Sequence, residues 1–310
     1  PAKRGINRVS AGRMSASSRS LRRKAAVAAF MVLGPVAASA AFTGSAADSD
    51  PTANLITSTI ALAGTPHELR VEETRPGAET ITLTARLAAD GGRINRPIGW
   101  TLRRNGAVVF TVDAAGADIA IEPGHYEVEA TYGTVTVRQP VELAPQRAVD
   151  LTLVMNVGGM RALAKIAGEP LPETIKADYS VYPADGSGNG APVAETSTGG
   201  DILRLGAGQY RVESTLKPGN VTASTEITVK AGILSSLEID HQASLVRLDL
   251  PSGTQWTLLS AETGWNATGT GPVSAMALAA GHYRLQQNGH AIEFDVKPGD
   301  RRTITPDATN

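Results

Sequence analysis

The side chains of this chain best suited to chemistry are five histidines, one Ser-x-x-Lys pair and one acidic glycine-rich stretch. His67, His125, His241, His282 and His290 include no two that fall four residues apart, the spacing with which one helix face presents a pair of zinc ligands. His125 and His282 each sit in a Gly-His-Tyr triplet, and a shared position of that kind predicts exposed turn residues rather than two metal centres. Ser214-Thr-Leu-Lys217 has the spacing of a serine nucleophile with a lysine base, but it runs into a Pro-Gly turn and brings no helper residues. Asp185-Gly-Ser-Gly-Asn-Gly190 offers oxygens for calcium or amides for phosphate. It lacks the closing Glu of a calcium loop and the Lys and helix of a phosphate loop, so it reads as a flexible loop. There is no Gly-x-Ser-x-Gly, and with no cysteine there is no thiolate chemistry and no disulfide framework. The carboxylates are scattered, and the sequence nominates no acid and base pair among them. The sequence therefore nominates no catalytic residue, no metal site and no cofactor, and a non-enzymatic protein is expected.

What the sequence does show is repetition. Ile121-Glu-Pro-Gly-His-Tyr-Glu-Val-Glu129, Leu205-Gly-Ala-Gly-Gln-Tyr-Arg-Val-Glu213 and Leu278-Ala-Ala-Gly-His-Tyr-Arg-Leu-Gln286 are three copies of one element. An aromatic-led strand precedes each copy, starting at Trp100, Tyr179 and Trp256. Turns follow each at Tyr132-Gly133, Lys217-Pro-Gly-Asn220 and Asn288-Gly289, and Asn-Gly suits a tight hairpin. Opening strands are predicted at Thr80–Leu87, Met160–Ile166 and Leu245–Leu250, and closing strands at Val149–Val154, Ile233–Ile239 and Arg302–Thr305. Strands of alternating character bury one face each, and two such sheets packed together make a sandwich. On this pattern Tyr126, Tyr210 and Tyr283, with Gly124, Gly208 and Gly281 two residues before them, are structural corners. Trp100, Tyr179 and Trp256 are predicted core aromatics.

These landmarks resemble the carboxypeptidase regulatory-like (transthyretin-like) β-sandwich, and are similar in pattern to PEGA and Cna-B modules of bacterial envelope proteins. Fibronectin III-like domains share the Pro-Gly-x-Tyr element. The resemblance covers roughly residues 78–306 and implies a seven-stranded Greek-key sandwich per repeat. It transfers no catalytic residue. The self-formed Lys–Asn isopeptide bond of Cna-B modules would have Lys165 as its one candidate lysine, facing only Asp240 at the far end of the closing strand, and is not expected.

The fold class expected is all-β: three tandem Greek-key β-sandwich domains (Ig-like or prealbumin-like) after an N-terminal signal peptide. The composition agrees, with 42% apolar but only 4% aromatic residues, and Gly and Pro distributed between short apolar runs. Arg22-Arg23-Lys24, the apolar run from Ala25 and Ala38-Ser39-Ala40 match a secretory signal, with Met14 as a plausible start. The expected segments are an upstream extension and signal peptide over 1–40, a flexible lead-in over 41–77, repeats over 78–156, 157–241 and 242–306, and a tail over 307–310. No later apolar run is long enough to span a membrane, so the mature chain is expected in the periplasm or secreted. A net charge of −1 gives no electrostatic footprint for nucleic acid.

Two classes of function follow. One is a structural or interaction module of the cell envelope, made of stiffly joined units and meeting an envelope protein or glycan. The other is a carbohydrate or small-ligand binding protein using loops at one sandwich end, with Trp265 as an exposed aromatic platform in a Gly/Thr-rich loop. An accessory subunit of an envelope enzyme is a third, weaker reading.

Overall fold

The computed structural model describes residues 58–61, 67–186 and 190–305. The expected signal segment and the 307–310 tail lie outside the described residues. So do residues 187–189 of the glycine-rich loop.

Among the described residues every regular element is a strand, and the strands form six sheets. The first unit holds β1 (Ser58–Ala61), β2 (Glu68–Glu73), β3 (Thr80–Arg86), β4 (Ile98–Arg104), β5 (Ala107–Ala114), β6 (Gly116–Ala120), β7 (Gly124–Tyr132), β8 (Val135–Leu143) and β9 (Arg147–Val154). Its two sheets run β1-β2-β9-β3-β6 and β5-β4-β7-β8. The second unit holds β10 (Val157–Ile166), β11 (Glu169–Pro170), β12 (Lys176–Pro183), β13 (Ala194–Thr196), β14 (Leu203–Gly206), β15 (Gly208–Lys217), β16 (Thr222–Val229) and β17 (Leu234–His241). One sheet is β11-β10-β14 with β17 also paired to β10, and the other is β13-β12-β15-β16. The third holds β18 (Ala243–Leu248), β19 (Gln255–Ser260), β20 (Asn266–Thr270), β21 (Val273–Ala279), β22 (Gly281–Gln287), β23 (His290–Val296) and β24 (Arg301–Ile304). Its sheets are β21-β18-β24 and β20-β19-β22-β23.

The connectivity is the same in all three units. The chain opens in one sheet, makes a two-strand excursion into the other, returns for one edge strand, makes a second excursion and closes beside its opening strand. Because it closes from the far sheet, the closing strand lies parallel to the opening one: β9 to β3, β17 to β10 and β24 to β18. Binary patterning explains why each sheet packs on its partner. In β4, Ile98, Trp100 and Leu102 point inward between Gly99, Thr101 and Arg103. In β7, Tyr126, Val128 and Ala130 do so between His125, Glu127 and Glu129. Three core clusters result, each drawing on both sheets of its unit.

The flexible lead-in expected over 41–77 is corrected where it is described, at 58–61 and 67–77. β2 pairs antiparallel with β9 from Glu68↔Thr152 to Glu73↔Arg147, and β1 pairs with β2. Leu69 is buried in the first core and Val71 packs on it. In sequence, Glu-Leu-Arg-Val-Glu-Glu looks like a charged linker. At a sheet margin two inward apolar side chains suffice, and the alternating charges face solvent. The joints between units are short: Met155 and Asn156 separate β9 from β10, and Gln242 alone separates β17 from β18.

Candidate functional site

Each unit carries the same corner. The Tyr126 hydroxyl donates to the carbonyl of Glu122 at 2.5 Å, Tyr210 to Gly206 at 2.9 Å and Tyr283 to Ala279 at 2.9 Å, in every case four residues upstream. Tyr126 and Tyr283 are buried, Tyr210 half-buried. Burial raises the phenol pKa of Tyr210 and Tyr283, so the neutral, donating form is kept. Of the glycines, Gly124 lies beneath the Arg104 guanidinium, Gly208 beside the Tyr210 ring and Gly281 against the Glu262 carboxylate.

The core aromatics sit at one register position. Trp100, Tyr179 and Trp256 pair with Ala130, Ser214 and Gln287, each four residues beyond the corner tyrosine. All three rings are buried. The indole N–H groups donate to Ala114 (3.1 Å) and Gly271 (3.0 Å) carbonyls, so neither Trp leaves a polar atom orphaned. Arg104 belongs to the first corner: it donates to the Pro123 carbonyl, pairs with Glu122 at 3.5 Å and lies 5.6 Å from the Tyr126 ring centre.

The candidates for chemistry are not brought together. His125 is exposed, and His282 contacts Asp295 at 3.0 Å. That hydrogen bond raises the His282 pKa. His241 is fully buried, its ring nitrogens 3.2 and 3.1 Å from the carbonyls of Lys165 and Ser214, which ties the two sheets of the second unit together. His67 is buried and its Nδ1 accepts the Val154 N–H at 3.1 Å. Ser214 is buried in a strand, and Lys217 pairs instead with Asp178 at 2.5 Å. Lys165 pairs with Glu238 at 2.7 Å, while Asp240 accepts the Gly168 N–H. Among the described residues no group of three or more His, Cys, Asp or Glu side chains is placed to hold a metal ion.

Trp265, expected as an exposed ligand platform, lies in a loop that returns to the third unit. Its ring is half-buried and packs against the third core, because the loop folds back: Ser260 N–H donates to the Trp265 carbonyl at 2.8 Å.

What sequence reading missed is how the units touch. The turn between β7 and β8 docks on the edge strand β14 of the second unit. Thr134 N–H donates to the Arg204 carbonyl at 3.1 Å, and Arg204 Nε donates to the Tyr132 hydroxyl at 2.9 Å with its guanidinium 5.1 Å from that ring. The turn between β15 and β16 docks on the edge strand β21 of the third unit. Asn220 N–H donates to the Ala277 carbonyl at 3.1 Å, and Ala277 N–H to the Pro218 carbonyl at 2.9 Å. The Asn220 side chain accepts from Ala279 N–H and donates to the Tyr283 hydroxyl, both at 2.9 Å.

Arg204 and Ala277 are the same repeat position, the residue before the aliphatic that opens Leu-x-x-Gly-x-Tyr. Both turns approach it through a glycine. A β-carbon on Gly133 would fall 2.4 Å from the Arg204 carbonyl oxygen, and one on Gly219 would fall 1.9 Å from that of Ala277. The available signal was a glycine in each post-tyrosine turn, which also serves an ordinary hairpin.

No family model matches the chain, and no curated protein matches it. Among solved structures it is similar to the TIE protein of Bacillus anthracis, at 14% identity and a TM-score of 0.23 over 77% of this chain and 52% of that one. It is also similar to a Streptococcal ancillary pilin, at 12% identity and a TM-score of 0.28 over 74% and 99% of the two chains. A third is the minor pilin of Streptococcus agalactiae, at 13% identity and 0.29 over 53% and 95%. The chain thus spans about half the length of the Bacillus anthracis protein. Scores this low leave the fold to be read from the chain's own sheets. Among the described residues no helix is long and apolar enough to cross a membrane.

Proposed function

We propose that this chain is a non-enzymatic, exported module of the bacterial cell envelope that acts as a stiff spacer. Three β-sandwich domains held in fixed relation would present their loops to another envelope component, protein or glycan. The observation that carries this reading is that one joint is built twice. The turn after the corner tyrosine of one unit hydrogen-bonds the same backbone position of the next, at Arg204 and at Ala277. Units joined only by a flexible linker move freely by default, whereas a hydrogen-bonded, glycine-fitted contact beside a connection of one or two residues restrains them. Export is supported by the sequence from Arg22 to Ala41, which has the order of a secretory signal.

Cell fractionation and small-angle scattering test the proposal together. The chain should appear outside the cytoplasm, and one rigid arrangement of the three units should account for its scattering at low and high salt. Retention in the cytoplasm, or scattering that requires a broad ensemble of unit orientations, would remove it. Independent folding of the units has its own test: a fragment ending at Asn156 should unfold cooperatively by itself.

A further inference from the structure

The two joints inside the chain define what an accepting face looks like, and the first unit has one that nothing among the described residues covers. Its counterpart of Arg204 and Ala277 is Ala120, at the free edge of β6. Ala120 is exposed. Its neighbour Ile121 donates its N–H to Glu79 on the β3 side at 3.4 Å, so antiparallel alternation turns the N–H and carbonyl of Ala120 outward, as at Arg204 and Ala277. The resemblance extends to the facing sheet. Leu102↔Phe110 and Val181↔Ala194 are equivalent register pairs, which makes Val109 the counterpart of Val193. Val193 lines the hollow beside Thr134 and Val135 at the first joint. Val108 and Val109 are exposed to 51% and 46%, an apolar stretch on the β5 edge.

Size indicates the occupant. The faces that receive a turn within the chain carry small residues at the two spacer positions, Gly206-Ala207 and Ala279-Ala280, whereas the first unit carries Glu122-Pro123. The docking turns are long: Gly133-Thr134 lie seven and eight residues beyond their corner tyrosine, and Gly219-Asn220 nine and ten. In the third unit, Gln287↔His290 closes the hairpin early, and Asn288-Gly289 lie only five and six residues beyond Tyr283. That tip is shorter than the first by two residues, roughly 7 Å of strand. A β-carbon on Gly289 would meet nothing within 4 Å. A shorter turn and a bulkier face compensate each other.

We propose that a second copy of this chain docks here. The short β22–β23 hairpin of one copy meets the β6 edge at Ala120 and the apolar Val108–Val109 edge of the next, so that copies join head to tail as the units do within one chain. The contact is heterologous and leaves both ends open, so it builds strings rather than closed dimers. It rests on the spacer reading, whose joints it extends.

Sedimentation of the full chain over a range of concentrations tests it. The weight-average mass should climb past one chain and past two without a plateau. Ala120→Pro, which removes an outward N–H and fills an edge that tolerates proline, and Val109→Lys, which puts a charge on the edge, should each return the single-chain mass with thermal unfolding unchanged. A single-chain mass at every concentration, arrest at two copies, or association that both variants leave intact would overturn it. A monomer whose scattering still fits one rigid arrangement would refute the copy-to-copy contact alone and leave the spacer reading standing.

Discussion

Gly219 of the second unit lies so close to Ala277 of the third that a β-carbon on it would come within 1.9 Å of the Ala277 carbonyl oxygen. The position belongs to no core cluster, and two things constrain it: the close approach across the joint and its own positive φ of 151°. Gly219→Ala should therefore separate the third unit while both sandwiches stay folded. Four hydrogen bonds around Pro218 and Asn220 are at stake, each worth about 0.5–1.5 kcal/mol net. Calorimetry should show the third unit melting earlier and apart from the second. An unaltered, single coupled transition would contradict the joint.

The three corner tyrosines should not respond alike to loss of the hydroxyl. Tyr126→Phe removes one hydrogen bond and should cost about 1 kcal/mol, confined to the first unit. Tyr283→Phe removes the bond to Ala279 and also the Asn220 contact across the joint, so it should both destabilise the third unit and loosen the second joint. Replacement of any of the three by Ala should cost about 3–5 kcal/mol. Equal effects of the two Phe variants on the second joint, measured by the coupling of the two transitions, would contradict this assignment.

Much of this was legible in the sequence, for physical reasons. The Gly-x-Tyr element needs an inward ring and a hydroxyl within reach of the chain just upstream, and few other roles fit a tyrosine repeated behind a glycine turn. Trp100 and Trp256 could be placed because an aromatic at the head of an alternating strand has a buried face to fill. The joints were not legible. Gly133 and Gly219 sit in turns where glycine is common for local reasons, and the contact they permit is with the backbones of Arg204 and Ala277, which no side-chain pattern announces. β2 was hidden by its charges, and Trp265 by a loop composition that gives no sign of folding back.

His67 should make the attachment of β2 sensitive to acid. Its Nδ1 accepts the Val154 N–H, which only the neutral ring can do, and burial lowers its pKa below the usual 6.5. A base with a depressed folded pKa contributes stability above its unfolded pKa and loses it as pH falls through the folded value. Amide exchange at Val154 should therefore accelerate as pH is lowered below about 6.5, after correction for intrinsic rates. In His67→Phe that pH dependence should vanish; its persistence would assign the effect elsewhere.

His282 should behave in the opposite sense. Its hydrogen bond to Asp295 raises its pKa above 6.5, and the pair is solvent-exposed. A raised folded pKa contributes stability below the unfolded value and loses it as pH rises through the folded one. The imidazole resonances of His282 should titrate above 6.5 and move back toward it in Asp295→Asn. A midpoint indifferent to that substitution would remove Asp295 as the cause.

The central claim is that two matching joints hold three sandwiches in one arrangement, and a distance across both joints tests it most directly. The chain has no cysteine, so Thr111→Cys and Thr268→Cys, both at exposed strand positions, allow spin labels on the first and third units alone. With the doubly labelled chain diluted into an excess of unlabelled chain, so that only distances within one copy are read, pulsed electron resonance should give one narrow distance distribution, unchanged by salt and broadened by Gly219→Ala. A wide distribution in the otherwise unaltered chain would show that the units move freely and would contradict the account.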